Sequence, residues 1–473
     1  MKSMINNQSR PKFGMNFLAR TLAIALVAFT FVQCDSDDDD GPASPAGKTI
    51  VALAQENNDL SSLEAALIKY PDLVSTLGGA SKFTVFAPTN AAFEDLLEAI
   101  GQTSLNDIPE DVLKEILEYH VVQGEARSTQ LSNGAVNTVG GEPIDVNVSS
   151  GVKLNGNTSV VTADVAASNG VVHVVDAVLV PPSIRPIVGT IVAPAYFNKN
   201  FTTLVAAVKA ASPVVLETLL NSDAKTLFAP TNAAFAAAGI TSLPDQETLN
   251  AVLTYHAISG EVMASDIAVG SSSAETLNGT IYLSKNEGGV FINGTTKVVA
   301  TDIAASNGVV HVIDRTLLPP SNTIAEIVVA STDAENPEFT QLLAALLRTE
   351  GQGANDLLNA VSSDGNLTVF APTDAAFQEL YNALDVEGID DIPLNTLIAV
   401  LKHHVVAGRV FSSDLSSGQV ATLNGNVTVD VGASPPTVTG GSGEANEAAL
   451  QVNALNIHAT NGVIHVIDKV LVP

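Results

Sequence analysis

Hydrophobic and polar positions alternate along one short stretch that occurs three times in the chain. It reads NGVVHVVDAVLVPP from Asn169, NGVVHVIDRTLLPP from Asn307 and NGVIHVIDKVLVP from Asn461. Each copy begins with an Asn-Gly pair, which tight hairpin turns favour because both residues tolerate positive φ. Each continues with alternating β-branched residues, which predicts a strand, and ends at proline, which cannot donate to a strand ladder. Three copies predict three domains that end alike.

A second repeated pattern predicts a strand that leads into a helix. FTVFAPTNAAF begins at Phe83, and related stretches follow as LFAPTNAAF from Leu227 and VFAPTDAAF from Val369. The apolar run stops at a proline, and the next residues are suited to cap a helix. We expect Thr89 or Asn90 to be the N-cap, because either side-chain oxygen can accept a hydrogen bond from the first free amides.

Further helices are predicted before and after this motif. Apolar residues recur at helical spacing from Leu60 to Tyr70, and a second such helix opens near Pro109 and ends at Tyr119–His120. Its counterparts end at Tyr255–His256 and His403–His404. After these helices, the sequence of each repeat predicts short strands and Asn-Gly turns. Helices that gather before an antiparallel β region indicate the α+β fold class in each unit.

Length and composition agree with three folded domains. At about 150 residues per domain, 473 residues predict about three. The chain is 46% hydrophobic, which is enough to build cores and argues against disorder. Its formal net charge is −29, and such an acidic chain repels phosphate backbones. We therefore expect no nucleic-acid partner.

Residues 1–33 have the pattern of a targeting segment. Basic residues precede an apolar core at 21–32, which is too short for a spanning helix of about 20 residues. Cys34, the single cysteine, follows directly. The segment resembles a bacterial lipoprotein signal, which implies lipidation of Cys34 and attachment to a membrane. Gln33 departs from the small residue usual before that cysteine, and plain secretion and an uncleaved anchor are the alternatives.

The sequence CDSDDDD begins the segment 34–46, and the acidic run predicts a solvated, extended tether because like charges repel. It also resembles the acidic tags that send some lipoproteins to the outer face of the outer membrane. The two interpretations are compatible, and together they predict an outer-membrane lipoprotein that faces the cell exterior. A calcium site is the weaker alternative, because the run lacks the alternating ligand pattern of a calcium loop.

The motifs together resemble a fasciclin domain. FTVFAPTNAAF, the Tyr-His pair and NGVVHVVDAVLVPP occur in that order, and the resemblance extends over three predicted domains at 47–182, 183–320 and 321–473. It implies that each repeat is a β-sandwich wedge with helices packed on one side. It also implies an extracellular adhesion module that binds a cell-surface or matrix protein or a polysaccharide.

The resemblance also implies candidate adhesion residues. In animal members of the family an Asp-Ile pair just before the final motif takes part in integrin-dependent adhesion. The matching pairs here are Asp164–Val165 and Asp302–Ile303, whereas the third repeat has Asn456–Ile457 and lacks the charge. The alternative interpretation is an aspartate that caps a turn beside a core aliphatic residue.

The Tyr-His pair is a second candidate that the family resemblance implies. Tyr119 and His120 match it in the first repeat, Tyr255 and His256 match it in the second, and His403 replaces the tyrosine in the third. The alternative is a buried pair whose polar atoms are satisfied by hydrogen bonds within the core.

Nothing in the sequence singles out a catalytic centre. There is no Gly-x-Ser-x-Gly elbow and no His-Glu-x-x-His spacing. In the final strands a histidine precedes an aspartate by three residues, which places the two on opposite faces and argues against a dyad. These pairs are His173–Asp176, His311–Asp314 and His465–Asp468. We expect no enzyme activity and no cofactor.

The links between repeats are short and proline-rich, at Pro181–Ser183 and Pro319–Ser321, and proline stiffens such joints. The expectation is therefore a surface-anchored adhesion or matrix-binding lipoprotein of three semi-rigidly linked modules. A structural scaffold of the cell envelope and a polysaccharide-binding accessory protein are the alternative functions.

Overall fold

The computed structural model describes residues 47–441 and 446–473. The predicted signal segment, the acidic tether and Cys34 lie outside these residues. Gly47–Pro473 forms one compact unit, within which three repeats share one order of helices and strands.

The first repeat contains helices α1–α5 and strands β1–β7. They are α1 (Ile50–Glu56), α2 (Ser61–Leu67), α3 (Pro71–Gly78), β1 (Phe83–Pro88), α4 (Asn90–Ala99), α5 (Glu110–Tyr119), β2 (Val121–Gln123), β3 (Gly134–Asn137), β4 (Pro143–Asn147), β5 (Lys153–Leu154), β6 (Thr158–Ala167) and β7 (Gly170–Val175). The strands form one sheet in the order β2-β1-β7-β6-β5-β4-β3.

The second repeat contains α6–α10 and β8–β14. They are α6 (Ala193–Tyr196), α7 (Thr202–Ala210), α8 (Pro213–Leu220), β8 (Lys225–Pro230), α9 (Asn232–Ala237), α10 (Gln246–Tyr255), β9 (Ala257–Ser259), β10 (Gly270–Thr276), β11 (Gly279–Asn286), β12 (Gly289–Ile292), β13 (Thr296–Ala305) and β14 (Gly308–Ile313). Here the strands close into a barrel in the order β10-β11-β12-β13-β14-β8-β9.

The third repeat contains α11–α15 and β15–β22. They are α11 (Ile324–Thr332), α12 (Thr340–Leu347), α13 (Leu357–Ser362), β15 (Leu367–Pro372), α14 (Asp374–Leu384), α15 (Leu394–His403), β16 (Val405–Ala407), β17 (Gly418–Ala421), β18 (Asn426–Asp430), β19 (Thr437–Thr439), β20 (Glu447–Ala449), β21 (Ile457–Ala459) and β22 (Gly462–Ile467). Its strands form two four-stranded sheets, β16-β15-β22-β21 and β17-β18-β19-β20. The predicted α+β class is confirmed.

A threonine caps the helix that follows the FAPT motif in each repeat. The Thr89 side chain accepts a hydrogen bond from the Ala92 amide, and Thr231 and Thr373 do the same in their repeats. Asn90 instead ties two helices together, because its Oδ1 accepts from the Ser62 amide at 2.8 Å. Of the two predicted caps, Thr89 is therefore the one that the structure uses.

The hairpin before the final strand forms as predicted, but the Asn-Gly pair is not its turn. Ala167 pairs with Gly170 across β6 and β7, so Ser168 and Asn169 make the two-residue connection. Asn169 does not adopt positive φ, and its amide is buried. Its Oδ1 accepts from the Ile50 amide at 2.9 Å, and its Nδ2 donates to the carbonyls of Leu77 and Gly79.

The pairing of β1 with β7 is parallel, which differs from the wholly antiparallel region expected from the sequence. Phe83 lies opposite Gly170 in this pair. A Cβ at position 170 would lie 1.9 Å from the Phe83 carbonyl oxygen, and Gly308 faces Lys225 in the same way at 1.8 Å. The glycine of each Asn-Gly pair is therefore required for the close approach of two strands.

Alternate residues of the central strands enter two different cores. Val85, Ala87 and Val172 face the helices and belong to the helical core of the first repeat. Phe86 and Val175 face the opposite way, into a core formed by the remaining strands. The strand period of two thus places the helices on one side of the sheet, as predicted.

The first two repeats share one hydrophobic core. The segment after the first linker contributes Ile187, Val192 and Phe197 to a cluster that also contains Leu96 and Ile100 of the first repeat. Polar contacts reinforce this junction, because Gln102 donates to the Pro194 carbonyl at 3.2 Å and accepts from Asn198 at 3.2 Å. The first two repeats are therefore joined by a packed interface as well as by the proline-containing linker.

The second and third repeats meet through an aromatic and polar contact. The Arg409 guanidinium lies 4.6 Å from the ring centroid of Tyr282, and the Tyr282 ring also contacts Phe411 and His458. Ser413 donates to Ser284 at 2.8 Å. The Arg409 group is held on its own repeat by hydrogen bonds to the carbonyls of residues 459, 460 and 462.

Candidate adhesion site

The predicted Asp-aliphatic pairs lie at a bulge in the strand before the hairpin. The register of β6 against β7 shifts between Thr162 and Val165, and Asp164 adopts a left-handed conformation with φ of 61°. Asp302 has φ of 61° and Asn456 has φ of 58° at the equivalent positions. Aspartate and asparagine tolerate this region better than other residues with a Cβ.

The carboxylate of Asp164 anchors a neighbouring loop. It accepts hydrogen bonds from the backbone amide of Ser128 at 2.7 Å and from the hydroxyl of the same residue. These hydrogen bonds, the Ser128 hydroxyl first, lower the pKa of Asp164 below its usual value. Asp302 likewise accepts from the Ala264 amide at 2.8 Å.

Asn456 does the same work in the third repeat without a charge. Its Oδ1 accepts from the Ser412 amide at 2.7 Å, and its Nδ2 donates to the Ser412 hydroxyl at 2.7 Å. Loop anchoring therefore needs a short polar side chain in the left-handed conformation, and it does not need a carboxylate. A negative charge at Asp164 and Asp302 is additional to this structural role.

His173 of strand β7 supports the bulge through hydrogen bonds. The Asp164 amide donates to Nδ1 of His173 at 3.3 Å, so Nε2 carries the proton and donates to the Ala126 carbonyl at 2.9 Å.

Asp176 has a different partner, because its carboxylate accepts from the Ser159 amide at 2.6 Å. The histidine and the aspartate three residues on thus do not form a dyad, as the strand period predicted.

The aliphatic member of the first pair borders a surface depression. Val165 is half-buried and lies beside Val172 and Val174 of β7. The depression has a volume of about 520 Å³, and α1 and the turn after it supply its remaining wall: Leu53, Glu56, Asn57, Asn58, Asp59 and Leu60. It combines an apolar floor with an acidic rim, and sequence reasoning missed this rim because helix α1 is 109 positions or more away along the chain.

Neighbouring repeats lie against the other two positions. A Cβ built on Gly101 of the first repeat would lie 4.0 Å from Cγ2 of Ile303. A Cβ built on Gly294 of the second repeat would lie 2.8 Å from the side chain of Asn456. The three bulges therefore have different surroundings, and Val165 is the aliphatic residue at the open depression.

The Tyr-His pairs lie in the cores. Tyr119 and His120 are 1% and 2% exposed. The Tyr119 hydroxyl donates to the Pro143 carbonyl at 2.8 Å and accepts from Asn155. In the second repeat, Tyr255 donates to the Thr280 carbonyl at 3.0 Å. Neither pair presents its polar atoms at the surface.

The histidines of these pairs are held neutral by burial. The Leu179 amide donates to Nε2 of His120 at 2.8 Å, which leaves the proton on Nδ1 to donate to the Ile116 carbonyl. Desolvation lowers the pKa of His120 to about 4, and that of His256 also to about 4. The third repeat keeps this histidine as His404, whose Nδ1 donates to the Val400 carbonyl. His403 takes the tyrosine position, and its Nδ1 donates to the Asn424 carbonyl at 2.6 Å.

Two further features bear on the kind of site. Within 47–441 and 446–473, no group of three or more His, Cys, Asp or Glu side chains is placed to hold a metal ion. In the same part of the chain no individual helix has the length and apolar character to cross a membrane, although the pair Lys199–Ala210 and Pro213–Leu220, bent by 118°, meets that criterion jointly.

The fold and its repeated motifs define a protein of three tandem fasciclin domains. The fasciclin domain matches the chain at residues 58–181, 199–319 and 337–473. The chain therefore belongs to the fasciclin domain family, as the motifs predicted.

Relatives come from distant organisms. Periostin of Homo sapiens is 28% identical over 445 residues, which are 90% of this chain and 48% of periostin. Transforming growth factor-beta-induced protein ig-h3 of Sus scrofa is 30% identical over 64% of this chain and 42% of its own length. Protein sll1483 of Synechocystis sp. is 44% identical over 30% of this chain and 77% of its own length. The chain thus spans about half of the length of periostin.

A solved structure of a FAS1 domain pair from the insect cell adhesion molecule fasciclin I is also similar. It is 18% identical, and the match covers 58% of this chain and 97% of that one with a TM-score of 0.28.

Proposed function

We propose that the protein is a surface-anchored adhesion protein that binds a cell-surface or matrix protein or a polysaccharide. The observation that carries the proposal is the match of fasciclin domains along three repeats, which the chain shares with periostin and with ig-h3. Repeated domains raise avidity when one partner engages several of them. A scaffold of the cell envelope is the second candidate.

The open depression at Val165 is the binding position that we favour. Its apolar floor and the carboxylate of Asp59 suit a partner with an aliphatic anchor and a basic group, whereas Glu56 on the same rim pairs with Lys48. Asp164 directly precedes Val165 in the chain, and its carboxylate is the charged member of the candidate pair. In the other repeats Ile303 and Asn456 lie near a neighbouring repeat, whereas Val165 borders the open depression.

The test separates the charge of Asp164 from its structural role. Asp164→Asn keeps the loop anchor, because Asn456 performs it in the third repeat. Asp164→Ala removes both the anchor and the charge. Binding of a form that begins at Gly47 to cell surfaces, matrix proteins and defined polysaccharides would be measured for the parent and both variants. We expect Asp164→Asn to keep the parent's melting temperature and to weaken binding about fivefold, the size of a partly exposed ion pair.

The control for this experiment is Asp176→Asn, which changes a carboxylate with a purely local partner. If Asp164→Asn binds as tightly as the parent and Asp164→Ala is weaker only in proportion to its lost stability, the charge has no adhesive role. If the parent binds no surface at all, the adhesion proposal fails and the envelope scaffold is favoured.

We further propose that lipidated Cys34 attaches the protein to the outer membrane, with the acidic segment 34–46 as its tether. The support is the position of the single cysteine directly after an apolar segment. Cys34→Ser should move the protein from the membrane fraction to the soluble fraction, because the acyl chains supply the anchoring. Protease accessibility on intact cells would report the orientation, and an unchanged membrane fraction for Cys34→Ser would contradict lipid anchoring.

A further inference from the structure

The second repeat contains an apolar cavity that the adhesion site does not use. It has a volume of about 360 Å³ and lies between the segment after the first linker and helices α7, α8 and α10. Aliphatic side chains form most of its wall, among them Val192, Leu204, Val208, Leu216 and Leu253. An apolar cavity of about 150 Å³ already accepts benzene, and ligand pockets begin at about 300 Å³.

The same place in the other two repeats is nearly filled. The corresponding cavities have volumes of about 20 Å³ each, next to His120 in the first repeat and next to His404 in the third. The large cavity, which borders His256, is therefore particular to the second repeat and does not follow from the shared fold.

The elements around this cavity differ in two ways from their counterparts in the other repeats. Helix α6 has four residues and contains Pro194, whereas α1 has seven and α11 has nine. Val208 stands where Leu67 and Leu346 stand in the other helices, seven positions after the residue before each helix. Valine is smaller than leucine by one methylene group, so Val208 leaves more apolar space than its two counterparts, and an unfilled cavity lowers stability in proportion to its size.

The polar groups of the cavity lie at its exposed mouth. Lys209 and Ser183 are exposed, and Glu115 of the first repeat is half-buried. The Ser183 hydroxyl donates to Glu115 at 3.3 Å. The Lys209 ammonium lies 5.3 Å from the ring centroid of Tyr196, and among the described residues it forms no ion pair with a carboxylate.

The deeper wall offers a ligand no free polar group from His256. Its Nδ1 donates to the Val252 carbonyl at 2.7 Å, and its Nε2 accepts from the Leu317 amide at 2.9 Å. A buried polar atom of a ligand would find no hydrogen bond on this ring, and that loss disfavours polar ligands. The occupant must therefore be apolar inside and polar only at the mouth.

We propose that this cavity binds a single-chain amphiphile, an unbranched acyl chain with a carboxylate head. The chain fills the aliphatic space under α7 and α8, and the carboxylate pairs with Lys209 at the mouth. The ammonium that lacks an acidic partner supplies the charge complementarity for this head group. The cavity borders the first repeat through Glu115, so binding takes place at the junction of two repeats.

Calorimetric titration with dodecanoate and dodecanol would test both parts of the proposal, with the form that begins at Gly47 because Gly47–Pro473 is one compact unit. We expect saturable one-to-one binding of dodecanoate. Val208→Phe should weaken both ligands at least about tenfold by filling the cavity. Lys209→Gln should weaken dodecanoate about fivefold and leave dodecanol unchanged, whereas Lys153→Gln, an exposed lysine on β5, should change neither.

Ala195→Leu provides a second filling variant, because Ala195 also lines the cavity and its larger side chain occupies the same space. Each filled variant should retain the parent's melting temperature, which separates a blocked cavity from a failure to fold. The proposal is overturned if the parent does not bind dodecanoate, or if a folded filling variant binds it as tightly as the parent. Equal loss of dodecanoate and dodecanol in Lys209→Gln would overturn the assignment of the carboxylate to Lys209.

Discussion

His120, His256 and His404 each directly follow the last residue of a helix and accept a hydrogen bond from a leucine amide near the end of the same repeat. The imidazole acts as an acceptor in this bond, so protonation would place two donors against each other. Burial acts in the same direction and lowers the pKa of each ring to about 4. One neutral ring thus joins the helical layer to the last residues of each repeat.

These histidines predict a loss of stability in mild acid. The pKa of each is about 6.5 in the unfolded chain and about 4 when folded, so the unfolded state takes up protons first as the pH falls. The stabilisation is complete above about pH 6.5 and decreases towards pH 4, by about 3 kcal/mol for each ring. Denaturant unfolding at pH 7 and pH 5 would measure the difference.

His120→Gln is the control for the pH dependence, because glutamine keeps a donor and an acceptor and does not titrate in this range. It should lower the free energy of unfolding at pH 7 but reduce the dependence on pH in the first repeat. Equal stability of the parent protein at pH 7 and pH 5 would contradict the assigned role of the neutral rings.

At the scale of elements, the Asn-Gly pair joins three parts of a repeat. The side chain of Asn169 holds the start of α1 and the end of α3, and Asn307 and Asn461 make the equivalent contacts. The following glycine allows β1 and β7 to pair closely in parallel. The pair therefore positions the helical layer on the sheet, which is a larger role than a turn.

The residue at the bulge in β6 also has two structural roles. A left-handed residue is needed to shift the register, and its short side chain also anchors the loop at Ser128. Both tasks are met by aspartate or by asparagine, which explains why Asn456 replaces the aspartate in the third repeat without loss of the local geometry. A binding role of the carboxylate is thus separable by substitution from its structural role.

For the whole molecule, the shared core predicts that the first two repeats unfold together. Their helical layers belong to one cluster, whereas the helical core of the third repeat forms another. Phe93 and Phe377 occupy the same motif position in the first and third repeats, and each is 1% exposed. Replacement of either by alanine should cost about 3–5 kcal/mol in its own core.

Hydrogen exchange would show how far each loss extends. We expect Phe93→Ala to increase exchange of the slowest amides in both of the first two repeats, and Phe377→Ala to do so in the third repeat alone. The two variants are matched in chemistry and burial, so each serves as the control for the other. Confinement of the Phe93→Ala effect to residues before the first linker would show that the shared core does not couple the repeats.

Most elements were predictable because their causes are local. The threonine caps, the helix that ends at Tyr119 and the strand after Gly170 follow from side chains within a few positions. The α+β class and the count of repeats follow from the order of such segments. The Tyr-His pairs were ambiguous, since helical spacing reports that a residue faces inward but does not report whether its polar atoms are used by the core.

Features that depend on residues far apart in the chain required the tertiary structure. Three such features are the parallel pairing of β1 with β7, the depression formed by Val165 with α1, and the cavity at the junction of two repeats. Each brings together segments that are far apart in the chain, and a local sequence pattern does not show which distant segments will meet. Local periodicity reports which face of an element is buried, whereas the identity of its neighbour depends on how all elements pack at once. The sequence by itself therefore determines the family and the number of repeats. The packing of the elements determines which bulge lies at an open depression and which repeat contains a large cavity.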